Sequence, residues 1–70
     1  MIRKNVKSSQ MKSVGYDTGN KVLEIEMTDG AIVQYYDVPK REFENLVKAD
    51  SIGKFYHRFI KGKYQYQQVI

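Results

Sequence analysis

Four basic side chains and one histidine lie between residues 54 and 63. Lys54, Arg58 and Lys61 are spaced at i, i+4 and i+7, which predicts one face of a helix, and His57 and Lys63 lie beside them. A row of cations can contact successive phosphates, and a histidine ring can stack on an unpaired base. We therefore predict an RNA-binding surface formed by these five residues. A helix whose solvent-exposed face is basic, without any ligand, explains the same spacing.

The net charge of +4 is unevenly distributed along the 70 residues. Residues 1–12 and residues 51–70 each carry four basic side chains and no acidic one, whereas the middle of the chain contains all eight acids. Solvated protein surfaces usually intersperse the two signs. The segregation therefore indicates a polyanionic partner, although basic chain ends also occur in proteins that have none.

Residues that could catalyse a reaction or hold a metal are scarce. The chain has no cysteine, and its single histidine, His57, has no acid at a spacing typical of a catalytic or zinc site. The glycines are dispersed and form no phosphate-binding loop. We expect no enzymatic activity, no cofactor, no metal and no small-molecule substrate. Because we see no secretory signal and no apolar run near the roughly 20 residues of a membrane span, we expect a cytoplasmic protein without membrane contact.

Three strand-like runs precede the basic segment, at residues 11–18, 21–28 and 31–38. The dipeptides Gly19-Asn20 and Asp29-Gly30 separate them, and both favour two-residue hairpin turns. With these turns, Tyr16 faces Leu23 on the first hairpin. Val33 and Tyr35 then lie on the outer face, beside Glu24 and Glu26. We predict a three-stranded antiparallel meander whose inner face collects apolar side chains: Val14, Tyr16, Leu23, Ile25, Met27, Ile32 and Tyr36.

Two short helices should follow the meander and complete a single α+β domain over residues 1–70. Pro39 suits a first helical turn, and Phe43, Leu46 and Val47 recur at helical spacing over residues 40–50. Ser51 can cap the second helix and Gly62 can end it. Residues 1–10 should be extended, and residues 64–70 form either an edge strand or a tail. The apolar stripe of the second helix consists of Ile52, Phe55, Tyr56, Phe59 and Ile60, of which we place Phe59 in the core with Phe43, Leu46 and Val47.

Short motifs along most of the chain, in this order and spacing, resemble the KTSC domain family. The resemblance runs from about Val6 to Tyr64. It implies a domain found at the C-terminus of some lysyl-tRNA synthetases and as small free-standing bacterial proteins, with RNA binding suggested by that fusion. Among the motifs that carry it are Val6-Lys7-Ser8-Ser9, Val14-Gly15-Tyr16, Gln34-Tyr35-Tyr36, Val38-Pro39 and Phe55-Tyr56.

The chain departs from that family at its central Tyr-x-Tyr motif. The motif falls on Val33-Gln34-Tyr35, so valine replaces the first tyrosine. This departure favours a packing role for the position and places the RNA contacts on the second helix. The alternative function is a protein–protein interaction module that uses the tyrosine-rich sheet edge or tail.

Overall fold

A single antiparallel sheet of five strands forms the frame of the protein. The computed structural model describes residues 1–70, and its strands follow one another in the order β1-β2-β3-β4-β5. The α+β class and the meander are confirmed. The extended N-terminal segment adds an edge strand, and a strand rather than a tail forms at the C-terminal end. The strands are β1 (Arg3–Asn5), β2 (Met11–Asp17), β3 (Val22–Met27), β4 (Ile32–Tyr35) and β5 (Tyr66–Gln68).

The helices lie between β4 and β5 in the chain and cover one face of the sheet. They are α1 (Lys40–Lys48) and α2 (Ile52–Phe55), and α2 continues into a π-helical turn over Tyr56–Ile60. Ser51 caps α2 as expected, because its Oγ accepts a hydrogen bond from the Lys54 amide at 3.3 Å. Gly62, with φ +82°, follows the last turn. Neither helix has the length and apolar content that crossing a membrane requires.

The first hairpin has the predicted register, with Tyr16 opposite Leu23 and Val14 opposite Ile25. Its loop is wider than expected, because the last paired residues are Asp17 and Val22. The Asp17 carboxylate fills this loop by accepting hydrogen bonds from the side chain and backbone of Asn20 and from the backbone of Gly19. These bonds, with the Asn20 side chain contributing most, hold the pKa of Asp17 below its usual value.

The second hairpin differs from the prediction by one residue. Its loop has three residues, Thr28, Asp29 and Gly30, and the Met27 amide donates to the Ala31 carbonyl at 2.8 Å. Gly30 takes φ +96°, which glycine adopts without steric cost. Since side chains alternate along a strand, this shift moves every β4 side chain to the opposite face. Val33 and Tyr35 therefore point inward, and the predicted inward positions of Ile32 and Tyr36 are wrong.

The core lies between the sheet and the helical segment. Val47 and Phe59 were predicted to belong to it, but they are 38% and 39% exposed. Tyr16 and Phe43 are only partly buried, and their rings stack at 5.1 Å where α1 crosses the sheet. A bulge after Met11 lets this side chain reach the interior. The buried cluster consists of Met11, Val14, Leu23, Ile25, Val33, Tyr35, Val38, Leu46, Tyr56 and Ile60.

The opposite face of the sheet carries polar side chains and no helix. Arg3 forms a salt bridge with Glu24 at 3.3 Å, although its atoms are not aligned as a hydrogen bond. Glu24 also accepts from the Gln34 amide at 2.8 Å, and Ser13 donates to Glu26 at 2.9 Å. This open face is therefore partly acidic, whereas the basic helical segment lies on the other side of the sheet.

Candidate nucleic-acid interface

The helical segment that carries the predicted site is not a regular α-helix. After Phe55 the backbone widens, and the Lys61 amide donates to the Tyr56 carbonyl at 2.9 Å, five residues back. Such π turns are rare, and they are frequent at functional sites. Tyr56 and Ile60 anchor this turn in the core, while Phe59 turns outward.

Three of the five predicted residues line one open cleft. The side chains of Lys54, His57 and Arg58 are exposed and border a cavity of about 630 Å³. No carboxylate and no apolar side chain lines this cleft, and neither Lys54 nor Arg58 forms a salt bridge. It is completed by small polar residues from the loop before β2 and from the cap of α2: Ser9, Gln10, Ser51 and Gly53.

His57 links the helical segment to the loop before β2. Its Nε2 lies 2.6 Å from the side-chain oxygen of Gln10. An amide oxygen only accepts hydrogen bonds, so this contact requires an imidazole that carries a proton on Nε2. The contact holds the imidazole at the wall of the cleft. No group of three or more histidine, cysteine, aspartate or glutamate side chains comes together as a metal site would require.

The other two predicted residues lie apart from the cleft. Lys61 follows the π turn and borders a groove that is also lined by His57 and Asp29. Lys63 forms a salt bridge with Glu42 of α1, at 3.1 Å from Nζ to Oε2. Tyr64 donates to the same carboxylate oxygen at 2.7 Å, and burial together with this bond raises the pKa of Tyr64 to about 12. The charge of Lys63 is thus paired with a carboxylate of α1 and lies outside the cleft.

An aromatic pocket, which the sequence reasoning missed, lies beyond Lys61. It has a volume of about 280 Å³ between β4, β5 and the π turn, and its lining includes Val33, Tyr35, Tyr56 and Tyr66. The hydroxyls of Tyr35 and Tyr56 bond to each other at 2.5 Å, and burial raises the pKa of Tyr35 above its usual value. The Tyr66 ring lies 5.6 Å from the Tyr35 ring and is 64% exposed.

The sequence placed Tyr35 on the outer face, beside Glu24, and this was wrong. Tyr35 is 3% exposed and packs under the helical segment. The signal that could have located the pocket was Gly30, since a three-residue loop with glycine in the left-handed region is the next most common hairpin after the two-residue turn. With that loop, Val33 and Tyr35 fall on the inner face, and Tyr66 becomes their neighbour on β5.

Comparison with known proteins identifies the family. The family model of the KTSC domain matches residues 7–64. The chain belongs to the KTSC domain family. The crystal structure of a KTSC domain protein from Yersinia pestis superposes with a TM-score of 0.96 at 38% sequence identity, covering 99% of this chain and 97% of that one.

Two further relatives show that the KTSC domain occurs by itself and within larger proteins. A protein of Stutzerimonas stutzeri is 34% identical over 70 residues, covering 99% of both chains. A lysine–tRNA ligase of Trichormus variabilis is 36% identical over 61 residues, which make up 87% of this chain but 11% of the ligase. The similarity therefore concerns one small part of that ligase.

Proposed function

We propose that this KTSC domain binds RNA in the cytoplasm, with the cleft between α2 and the loop before β2 as its phosphate site. The observation that carries the proposal is the composition of the cleft. Lys54, His57 and Arg58 converge there with small polar residues and without a carboxylate. Since like charges repel and unpaired cations attract phosphate, this lining suits a phosphodiester backbone.

Each cleft residue has a distinct part in this proposal. Arg58 can hold two phosphate oxygens at once through its planar guanidinium, whereas Lys54 acts as a compact charge. Ser9 and Ser51 can donate hydrogen bonds from their hydroxyls. Lys61 continues the cationic row into the adjoining groove. Contacts of this kind position RNA without reading its sequence, so binding should be broad in sequence.

Two further observations agree with RNA binding on the helical side of the sheet: the carboxylates of the open sheet face and the names of the relatives. On the open sheet face Arg3 is paired with Glu24, and Glu26 adds a second carboxylate, so this face offers phosphates fewer free cations than the helical side. The lysine–tRNA ligases that contain a similar domain are, by their name, enzymes that act on tRNA.

The salt dependence of RNA binding tests this proposal. Lys54, Arg58 and Lys61 form no salt bridge, whereas Lys63 does. Three phosphate contacts on a single strand predict that log K falls with log salt at a slope of about −2, from roughly 0.7 per contact. Fluorescence anisotropy with a labelled RNA oligomer at several salt concentrations measures this slope.

A pair of matched variants locates the site. Arg58→Gln should reduce the slope by about 0.7 and weaken binding at low salt up to about fivefold. Arg41→Gln removes the same charge from α1, where Arg41 is exposed on a different surface, and should bind like the parent protein. Equal losses in both variants would reflect net charge rather than a site. If the parent protein binds no RNA at low salt, the proposal fails, and a protein partner that docks on the tyrosine-rich sheet edge, where Tyr66 is exposed, becomes the better hypothesis.

A further inference from the structure

We propose that the aromatic pocket beyond Lys61 receives one unpaired nucleobase of the bound RNA, so that the protein selects single strands over duplexes. This inference rests on the proposed RNA binding and adds a second subsite to it. The base would stack on Tyr66, and Lys61 would hold the phosphate that follows or precedes it. The pocket is lined by Val33, Tyr35, Tyr56, Lys61, Gly62 and Tyr66.

The chemistry of the pocket fits a flat aromatic ligand. Most of its wall is apolar, and its volume of about 280 Å³ is close to the lower end of the roughly 300–1,000 Å³ typical of small-ligand sites. Its two deepest hydroxyls, on Tyr35 and Tyr56, satisfy each other and leave no polar atom that the ligand must match. Tyr66, at the rim, presents an exposed ring, and any base can stack on such a ring because every base has a π face.

The pocket and the proposed phosphate site each share lining residues with the groove between them. Ser9, Gln10 and His57 border both the basic cleft and the groove beside it. Tyr56 and Lys61 border both that groove and the pocket. The groove also contains the Asp29 carboxylate, so a single strand on this path would place its phosphates at the cleft and at Lys61, away from Asp29, with a base beside Tyr66. A duplex cannot supply that base without unpairing it.

The pocket combines one cation, Lys61, with aromatic walls, and this combination favours a nucleotide over an aliphatic chain or a simple anion. An aliphatic chain would fill the apolar space but would leave Lys61 without a partner. A simple anion would pair with Lys61 but would leave the ring of Tyr66 uncovered. A nucleotide satisfies both, since it joins a stacking surface to a negative charge within one unit.

Two oligomers of equal length separate the base from the phosphates. A uridine octamer and an abasic octamer, which has the same backbone without bases, are compared by fluorescence anisotropy. The parent protein should prefer the uridine octamer by about 5- to 150-fold, which corresponds to one stacked base. Tyr66→Ala should remove most of this preference while leaving the affinity for the abasic octamer unchanged. Val33→Phe, which extends a ring into the pocket and leaves Tyr66 in place, should also reduce the preference, with folding checked by circular dichroism.

A spectroscopic variant provides an independent measurement. The protein has no tryptophan, so Tyr66→Trp introduces a single reporter that keeps an aromatic ring at the rim. Its fluorescence should be quenched by the uridine octamer and not by the abasic octamer. Tyr36→Ala, on the opposite face of the sheet, serves as the control for the loss of a tyrosine and should keep the preference.

The outcomes distinguish this inference from the function on which it rests. If the protein binds both octamers equally and Tyr66→Trp is not quenched, the phosphate site stands and the base pocket is wrong. If the protein binds neither octamer at low salt, both the RNA function and the pocket are wrong. Quenching by both octamers would overturn the assignment of the pocket to a base, because it would follow from the backbone alone.

Discussion

The buried hydroxyl pair of Tyr35 and Tyr56 offers a quantitative test of the fold around the proposed site. The two oxygens lie 2.5 Å apart, and the residues are 3% and 5% exposed. Tyr35→Phe leaves the Tyr56 hydroxyl buried without its partner, which should cost about 1–3 kcal/mol of unfolding free energy. Tyr56→Phe should cost a similar amount for the same reason.

The double variant should cost less than the sum of the two single variants. It removes both hydroxyls and keeps both rings, whose centroids are 5.9 Å apart in an edge-to-face arrangement. No buried polar group is then left without a partner, so the coupling free energy should be about 1–2 kcal/mol, within the range of contacting residues. A domain of this size has a total stability of only about 3–5 kcal/mol, so each single variant should lose a large share of it.

Urea denaturation followed by circular dichroism measures these free energies. Tyr36→Phe is the matched control, because its hydroxyl bonds Gln34 at 3.2 Å on the open face of the sheet, where the expected loss is at most about 0.5 kcal/mol. Additive losses from Tyr35→Phe and Tyr56→Phe would refute the coupled pair. A loss from Tyr36→Phe as large as that from Tyr35→Phe would refute the assignment of Tyr35 to the inner face.

Two further predictions concern the edge of the sheet and the response to high pH. A Cβ on Gly15 would lie 2.8 Å from Cγ of Arg3 and 2.9 Å from the carbonyl oxygen of Ile2. Gly15→Ala should therefore displace β1 and speed amide hydrogen exchange in that strand. Gly19→Ala is the control and should leave the exchange unchanged, because its Cβ would lie 3.5 Å from the nearest atom. Unchanged exchange in β1 would contradict this packing. The pKa of Tyr64 is raised from 10 to about 12, because the folded state favours the protonated hydroxyl. The contribution of this hydroxyl to the free energy of unfolding is therefore complete below about pH 10 and is lost as the pH rises towards 12. Tyr64→Phe should therefore lose less stability than the parent between about pH 10 and pH 12, and an equal loss would contradict the shift.

Local sequence patterns were sufficient for the first hairpin and for the ends of the helical segment. Apolar alternation on both strands fixes Tyr16 opposite Leu23, because a slip by one residue would expose Leu23 and Ile25 together. Ser51 fixes the start of the helical segment through one hydrogen bond from the Lys54 amide, and Gly62 fixes its end through a positive φ. These features depend on a few neighbouring residues and can therefore be predicted from the sequence.

The register of the second hairpin could not be predicted in the same way. Asp29-Gly30 fits a two-residue turn and also the end of a three-residue loop. The strand that follows does not discriminate, because Ile32 and Val33 are both apolar and Tyr35 is followed by another tyrosine. Packing under the helical segment selects the register in which Val33 and Tyr35 are buried. Such a choice depends on contacts between distant parts of the chain, which no local pattern records.

The π turn explains why the predicted basic surface divides. The prediction assumed 3.6 residues per turn, and at that spacing Lys54, Arg58 and Lys61 share one face. The hydrogen bond from Lys61 to Tyr56 spans five residues and widens the helix by one residue. Arg58 consequently remains at the cleft, while Lys61 is rotated towards the aromatic pocket. A regular α-helix would offer one row of charges, suited to a phosphate backbone alone. The widened turn instead separates the cations onto two subsites. Arg58 at the cleft lies over the single ring of Phe59, whereas Lys61 borders the pocket formed by Tyr35, Tyr56 and Tyr66. A cation at the edge of an aromatic pocket suits a single strand with an unpaired base.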